Sequence, residues 1–202
     1  DCSRNGPLNI KQAKEMLLVS ALFGLNRFML YTEDVYEIEG VPYFGYLRGK
    51  YSKEELKDLV AFSKTLGVDL VPSIQTLSHL QEALKWPYFC DVADTRNTLI
   101  VNEPKTYELI DKMLQTCEEC FDSPYIHINM DEAIDMASGA FIWKDLVLDK
   151  KELFITHLNK VVELCRKLSA YTDQMYLHVV NFTPIQEEIY KNCREDYCIT
   201  IM

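Results

Sequence analysis

Two carboxylates, Asp131 and Glu132, stand side by side at the end of the run His127-Ile128-Asn129-Met130. Acids in that place can hold or move protons, or they can cap the helix into which a strand turns. Neighbouring residues on a strand point to opposite faces. The pair is therefore not expected to face each other as an acid and a nucleophile would across a scissile bond, about 5 Å apart. Their roles are expected to differ. Glu132, partly desolvated beside a second negative charge, suits a group that gives and takes a proton; Asp131 suits one that orients part of a substrate. The plain alternative is a helix N-cap, because Asp and Glu are frequent at such junctions.

Further polar residues follow other apolar runs: Thr32, Glu33 and Asp34 after one, Gln75 and His79 after the next. Strands are read at 26–31, 68–74, 125–130, 175–180 and 197–201, each rich in apolar residues without polar alternation. Between them lie helical patterns. Ile10, Ala13, Met16, Leu17 and Ala21 recur at helical spacing before Gly24. Ser52 and Glu55 make a capping box for a helix that stops at Gly67. Pro104 opens a helix through Cys120, and further helices are read at 150–168 and 184–192. Strands alternating with helices call for a parallel sheet covered by helices, either doubly wound or a (β/α)8 barrel. No G-x-G-x-x-G or phosphate-binding loop follows a strand, and the polar residues gather after strands, on the face where barrels carry their sites. The expected fold class is α/β, of the (β/α)8 TIM-barrel type. At 202 residues, against about 250 for a closed barrel, one incomplete or truncated barrel domain over 1–202 is expected.

Composition narrows the partners. Hydrophobic residues are 48% and charged residues 26%, the balance of a folded globular chain. Twenty-one basic against 31 acidic residues give −10, with no basic cluster, so neither nucleic acid nor a membrane is expected as partner. No apolar run reaches the roughly 20 residues of a membrane span. Seven cysteines, an odd number spread along the chain, fit a reducing, cytoplasmic setting; Cys117 and Cys120 form a C-x-x-C that reads as ordinary helix thiols, and no metal is expected. His127, among apolar neighbours, is read as an interior histidine supporting Asp131. Of the two tryptophans, Trp86 and Trp143, Trp86 could stack on a sugar ring or pack a loop onto the sheet.

The segment HINMDEA at 127–133 resembles the H-x-G-G-D-E signature of glycoside hydrolase family 20, the β-N-acetylhexosaminidases. Further segments resemble that family in the same order: DCSRNG at 1–6, LYTEDVYE at 30–37 and VPSIQTLSHL at 71–80; YFGYLRGKYSKEEL at 43–56, then ALKWPYFCDVADTRNTLIVNEPKTYELI at 83–110, is similar to a subgroup that includes exo-acting bacterial enzymes. The similarity runs over about residues 1–168. Asn129 stands where the family has Gly, and the stretch MYLHVVNF at 175–182 lacks the family's Trp and Asp.

The resemblance implies cofactor-free, retaining, substrate-assisted hydrolysis of terminal N-acetylhexosamine from a glycan or glycoconjugate. On it, Glu132 is the general acid and base and Asp131 orients the acetamido group. Arg4 holds sugar hydroxyls, Asp34 and His79 form a carboxylate–histidine link that tunes Glu132, and Trp86 is a further substrate contact. A truncated, non-catalytic relative that binds an amino sugar or a protein is the alternative. An open sheet is expected to favour assembly into a homo-oligomer.

Overall fold

The computed structural model describes residues 1–4, 6–143 and 149–168, together with the backbone of two short strands at 175–177 and 197–199. Helix α1, Ile10–Leu22, starts where the Asn9 side chain accepts a hydrogen bond from the Gln12 N–H, and Gly24 takes a left-handed φ of 79° just past its end. Strand β1 is Arg27–Tyr31. The capping box is present. Ser52 accepts from the Glu55 N–H and its own N–H donates to Glu55, opening α2, Lys53–Thr65, which Gly67 ends at φ 69°. Strand β2, Asp69–Gln75, is buried at every position after its first residue, as a strand covered on both faces should be.

A single helical turn, α3 at Gln81–Leu84, and a 3₁₀ turn at Pro87–Phe89 interrupt the long connection that follows. Pro104 occupies the first turn of α4, Pro104–Cys120, where its missing N–H costs nothing. Strand β3, His127–Asn129, is shorter than the expected 125–130 because the chain leaves the ladder to build a turn at Asp131. Helix α5, Lys150–Lys167, is capped by Asp149. The strands expected at 175–180 and 197–201 are found as β4, Met175–Leu177, and β5, Tyr197–Ile199; the helix read at 184–192 lies outside the described residues.

All neighbouring strands pair in parallel, in the order β1-β2-β3-β4-β5. A doubly wound sheet reverses its strand order at a switch point; this one does not. Sequential winding with helices between strands is the wall of a barrel, and what is seen is part of one. Ahead of β1, the Cys2 N–H donates to the Tyr31 carbonyl at 2.9 Å, so residues 1–4 lie along the edge of β1 that faces away from β2.

Helices α2, α4 and α5 cover the sheet in sequence, α2 against α4 and α4 against α5. Leu56 and Leu59 of α2, Ile110 and Met113 of α4, and Val161 of α5 are almost fully enclosed, and each such side chain contributes about 1.5–3 kcal/mol on burial. Cys117 and Cys120 of α4 and Cys165 of α5 are free and buried. Burial pushes the Cys120 thiol up to about 11 and that of Cys165 up to about 12, which keeps both protonated and inert. On the outer side, Met16, Val19 and Leu22 of α1, Phe23 at its C-cap and Met29 of β1 remain exposed.

Candidate active site

The parallel register brings three strand ends within two residues of one level. Tyr31 of β1 lies opposite Ser73, and Gln75 of β2 lies opposite Asn129 of β3. The residues just beyond them therefore meet over one end of the sheet. The Tyr31 hydroxyl donates to Glu33 at 2.9 Å and accepts from the Gln75 amide at 2.8 Å; the same amide donates to Asp131 Oδ1 at 2.9 Å. His79 Nε2 lies 3.3 Å from Asp131 Oδ2 and 3.4 Å from Glu132 Oε2. Arg4 Nη2 is 3.4 Å from His79 Nδ1 and 3.4 Å from Glu33 Oε1. Three connections and the N-terminal segment thus contribute to one network.

Three of these residues have left-handed backbone: Glu33 at φ 44°, His79 at 57° and Glu132 at 50°. Each such conformation costs a side-chain-bearing residue about 1–3 kcal/mol, and it persists where surroundings over-determine it. Their effect is geometric. Opposite faces were expected for Asp131 and Glu132 on a strand, but β3 ends at Asn129 and the turn at Glu132 breaks the alternation. Both carboxylates consequently reach one imidazole.

The two acids have different surroundings. Burial pushes the Asp131 carboxyl up, but the hydrogen bonds from His79 and Gln75 and the charge of His79 outweigh it and hold it below the usual aspartate value. The hydrogen bond to Asp131 in turn raises His79, against burial and the nearby Arg4. Glu132 is not desolvated as expected: its side chain is 52% exposed, because the turn carries it outward.

Asp34 departs from expectation. It does not join His79; its carboxylate is 1% exposed and lies 3.4 Å from Arg48, which also donates to the Ser3 carbonyl and lies 3.7 Å from Glu82. The link to His79 instead runs from Glu33 through Arg4. The physical reason is reach: Glu33, in the left-handed turn, projects toward Arg4 while Asp34 faces inward to Arg48. Burial raises the Asp34 carboxyl to about 6 despite Arg48. A folded value above the unfolded 3.8 means that the folded chain keeps a proton which the unfolded chain has lost, so this group's contribution falls as pH rises from about 4 to about 6. Asp34→Asn should abolish that decline, worth about 2 kcal/mol. Denaturant midpoints of both proteins across this range check it, and a parent-to-variant gap that does not change with pH would contradict it.

Trp86 packs within a loop cluster, its ring 6.0 Å from Tyr43 and 5.2 Å from Tyr46, with Tyr88 5.4 Å from Tyr43. Three of these rings, those of Tyr43, Tyr46 and Tyr88, keep exposed edges. The side chain of Trp143 lies outside the described residues. His127 is buried as expected, but Asp131 takes its support from Gln75, from His79, and from Ser78, whose hydroxyl donates to the Asp131 carbonyl.

A protein-family model, Glycosyl hydrolase family 20, catalytic domain, matches residues 8–180. The chain belongs to that family. Among curated relatives, hexosaminidase D of Bos taurus is 23% identical over 172 residues, 81% of this chain and 49% of that protein. A 44-residue stretch is 48% identical to a probable tRNA sulfurtransferase of Thermoanaerobacter pseudethanolicus, but this is 22% of the chain and 12% of that protein. The fold matches that of the GH20 exo β-N-acetylglucosaminidase of Vibrio harveyi, solved with N-acetylglucosamine, at a TM-score of 0.71 and 21% identity, over all of this chain and 40% of that one. The family 20 chain thus spans about half the length of hexosaminidase D and less of the bacterial enzyme.

Within this family 20 chain, the Asn129 side chain is accommodated by crossing to β2, where it donates to Ser73 Oγ at 2.9 Å and to the Ile74 carbonyl at 3.1 Å. It ties β3 to β2 directly beneath the acid pair. The segment at 178–182 lies outside the described residues. His157 of α5, fully buried, lies 2.9 Å from the Thr76 carbonyl and 3.2 Å from the Tyr107 hydroxyl; burial lowers it to about 4, so it is a neutral strut that fixes the start of the β2–α4 connection.

Proposed function

We propose that this chain carries the acid pair of an exo-acting β-N-acetylhexosaminidase, which releases terminal N-acetylglucosamine or N-acetylgalactosamine from a glycan or glycoconjugate by retaining, substrate-assisted catalysis. In the first step the substrate's acetamido oxygen bonds to the anomeric carbon as the glycosidic C–O bond breaks, and Glu132 gives its proton to the leaving oxygen. In the second, Glu132 takes a proton from the water that opens the oxazolinium ring. Asp131, held ionised, accepts from the acetamido N–H and stabilises the developing positive charge. Half-exposed Arg4 offers its remaining N–H groups to sugar hydroxyls, and Trp86 with its tyrosine neighbours offers an aromatic face.

The observation that carries the reading is the convergence of Asp131 and Glu132 on His79 at the strand ends of a family 20 chain. Turnover of a chromogenic N-acetylglucosaminide, with retention of anomeric configuration and inhibition by a thiazoline mimic of the oxazolinium, tests it. Turnover with inversion, or indifference to the thiazoline, would reject the substrate-assisted route. A second reading, an amino-sugar binder without catalysis, draws on the exposure of Glu132, which leaves the proton donor in water. Calorimetric binding of N-acetylglucosamine with no turnover by the parent chain would favour it.

A further inference from the structure

The β2–α4 connection, residues 76–103, grips the acid pair from two sides. Its first residues, Ser78 and His79, hold Asp131 and touch Glu132. Its middle holds the turn that follows. Asp94, 5% exposed, accepts from the backbone N–H of Phe141 at 2.7 Å and of Gly139 at 3.3 Å through Oδ1, and from that of Ser138 at 3.2 Å through Oδ2. Its own carbonyl accepts from the Ala140 N–H at 2.8 Å. One residue therefore satisfies four consecutive backbone donors.

Two further contacts join the same segments, from the hydroxyls of Thr95 and Thr98 to Asp135. Asp94 is itself fixed, since its N–H donates to the Thr98 carbonyl at 2.9 Å and Thr95 Oγ1 accepts from the N–H groups of Asn97 and Thr98. The approach is close enough that a Cβ on Gly139 would lie 1.8 Å from the Asp94 carbonyl oxygen, so the position requires glycine. A buried carboxylate spent on backbone donors needs a purpose, and its neighbourhood suggests one. Glu132 lies six residues before Ser138, in a left-handed turn whose carbonyl accepts from the Ile134 N–H. With its side chain half-exposed, the direction of its carboxyl follows from the backbone on either side.

We infer that Asp94 is a positioning residue for Glu132: it clamps the segment after the acid pair so that the turn at Glu132 holds one orientation, while His79 holds the pair from the front. The inference rests on the reading of Glu132 as proton donor. A misplacement of about 1 Å at a catalytic group can cost about 10²-fold in rate.

Asp94→Ala and the milder Asp94→Asn, which keeps an acceptor for Phe141 and Gly139 but turns an amide on Ser138, test it. In Asp94→Ala, kcat on an alkyl N-acetylglucosaminide, whose leaving group needs the acid, should fall by about 10²-fold with KM within about twofold, and in Asp94→Asn by less. On a dinitrophenyl glycoside, whose leaving group needs little protonation, the loss should stay under about tenfold. Amide exchange over 132–141 should quicken by more than about tenfold while that over 10–22 does not change. Equal losses on both substrates, or faster exchange throughout the chain, would make Asp94 a general stability residue and overturn the inference. A parent chain that hydrolyses neither glycoside would reject the proposed activity, and the exchange result would then decide the clamp alone: no change over 132–141 overturns it.

Discussion

Glu132→Gln is expected to lower kcat on an alkyl N-acetylhexosaminide by about 10²- to 10⁴-fold, with little change in KM. The amide has nearly the same shape as the carboxyl and can still meet His79 Nε2, which lies 3.4 Å from Glu132 Oε2, so binding groups and backbone stay in place. What is lost is the proton. At a half-exposed position the substitution should leave stability within about 0.5 kcal/mol, so a folding defect cannot stand in for the chemical one. The pattern across substrates is the decisive reading. Bond cleavage in a dinitrophenyl glycoside needs little acid assistance, so the variant should lose least there and most on the alkyl glycoside. Steady-state kinetics on both substrates, with a melting curve for each protein, checks this. Equal turnover by parent and variant, or equal losses on both substrates, would remove Glu132 from the acid role.

The elements were legible wherever local chemistry determines them. The Ser52–Glu55 box, Pro104 at the first turn of α4, and glycines at 24 and 67 with left-handed φ each state a boundary in a few residues. The gathering of polar residues after strands also held, because a parallel register puts the C-terminal ends of the strands on one edge of the sheet. What could not be read was pairing among those polar residues. Asp34 and Glu33 are adjacent in sequence, and only the turn between them decides which turns inward to Arg48 and which reaches Arg4. The convergence of Asp131 and Glu132 was hidden for the same reason: period-two alternation stops where the strand stops, and that boundary falls two residues before Asp131.

Tyr31, Gln75, Arg48, Asp94 and His157 were missed as site-building residues. Gln75 gave a signal, standing directly after an apolar strand beside His79. Asp94 and His157 gave none, since the groups they hold are mainly backbone, 44 to 81 residues away. Backbone donors carry no residue identity, so no pattern of side chains reports them. The division has a physical basis: elements arise from near neighbours, whereas the support of a site arises from contacts between connections that only the folded register brings together.

The link between Asp131 and His79 yields the second large effect. Asp131→Asn is expected to lower kcat by about 10²- to 10³-fold, the scale for removing one stabilising group from a developing charge, and to lower the pKa of His79. The pair's contribution to stability has a defined window. His79, raised by Asp131, stabilises the fold below its unfolded 6.5, and this is lost as pH rises through the raised folded value; Asp131, held below its unfolded 3.8, stabilises above that pH and loses the contribution as pH falls. The parent should therefore exceed the variant most between about pH 4 and 6.5, with the gap narrowing on both sides. Where the ring is neutral, above its folded midpoint, hydrogen bonding makes the variant worse than loss of charge alone. Gln75 donates to Oδ1, so the new amide keeps its oxygen there and turns its NH2 toward His79 Nε2, which must then accept. The ring proton moves to Nδ1, against the N–H of Arg4 that lies 3.4 Å away, and that contact has to open. An NMR titration of His79 in both proteins reads the shift directly: an unchanged His79 midpoint would show that Asp131 does not set its protonation.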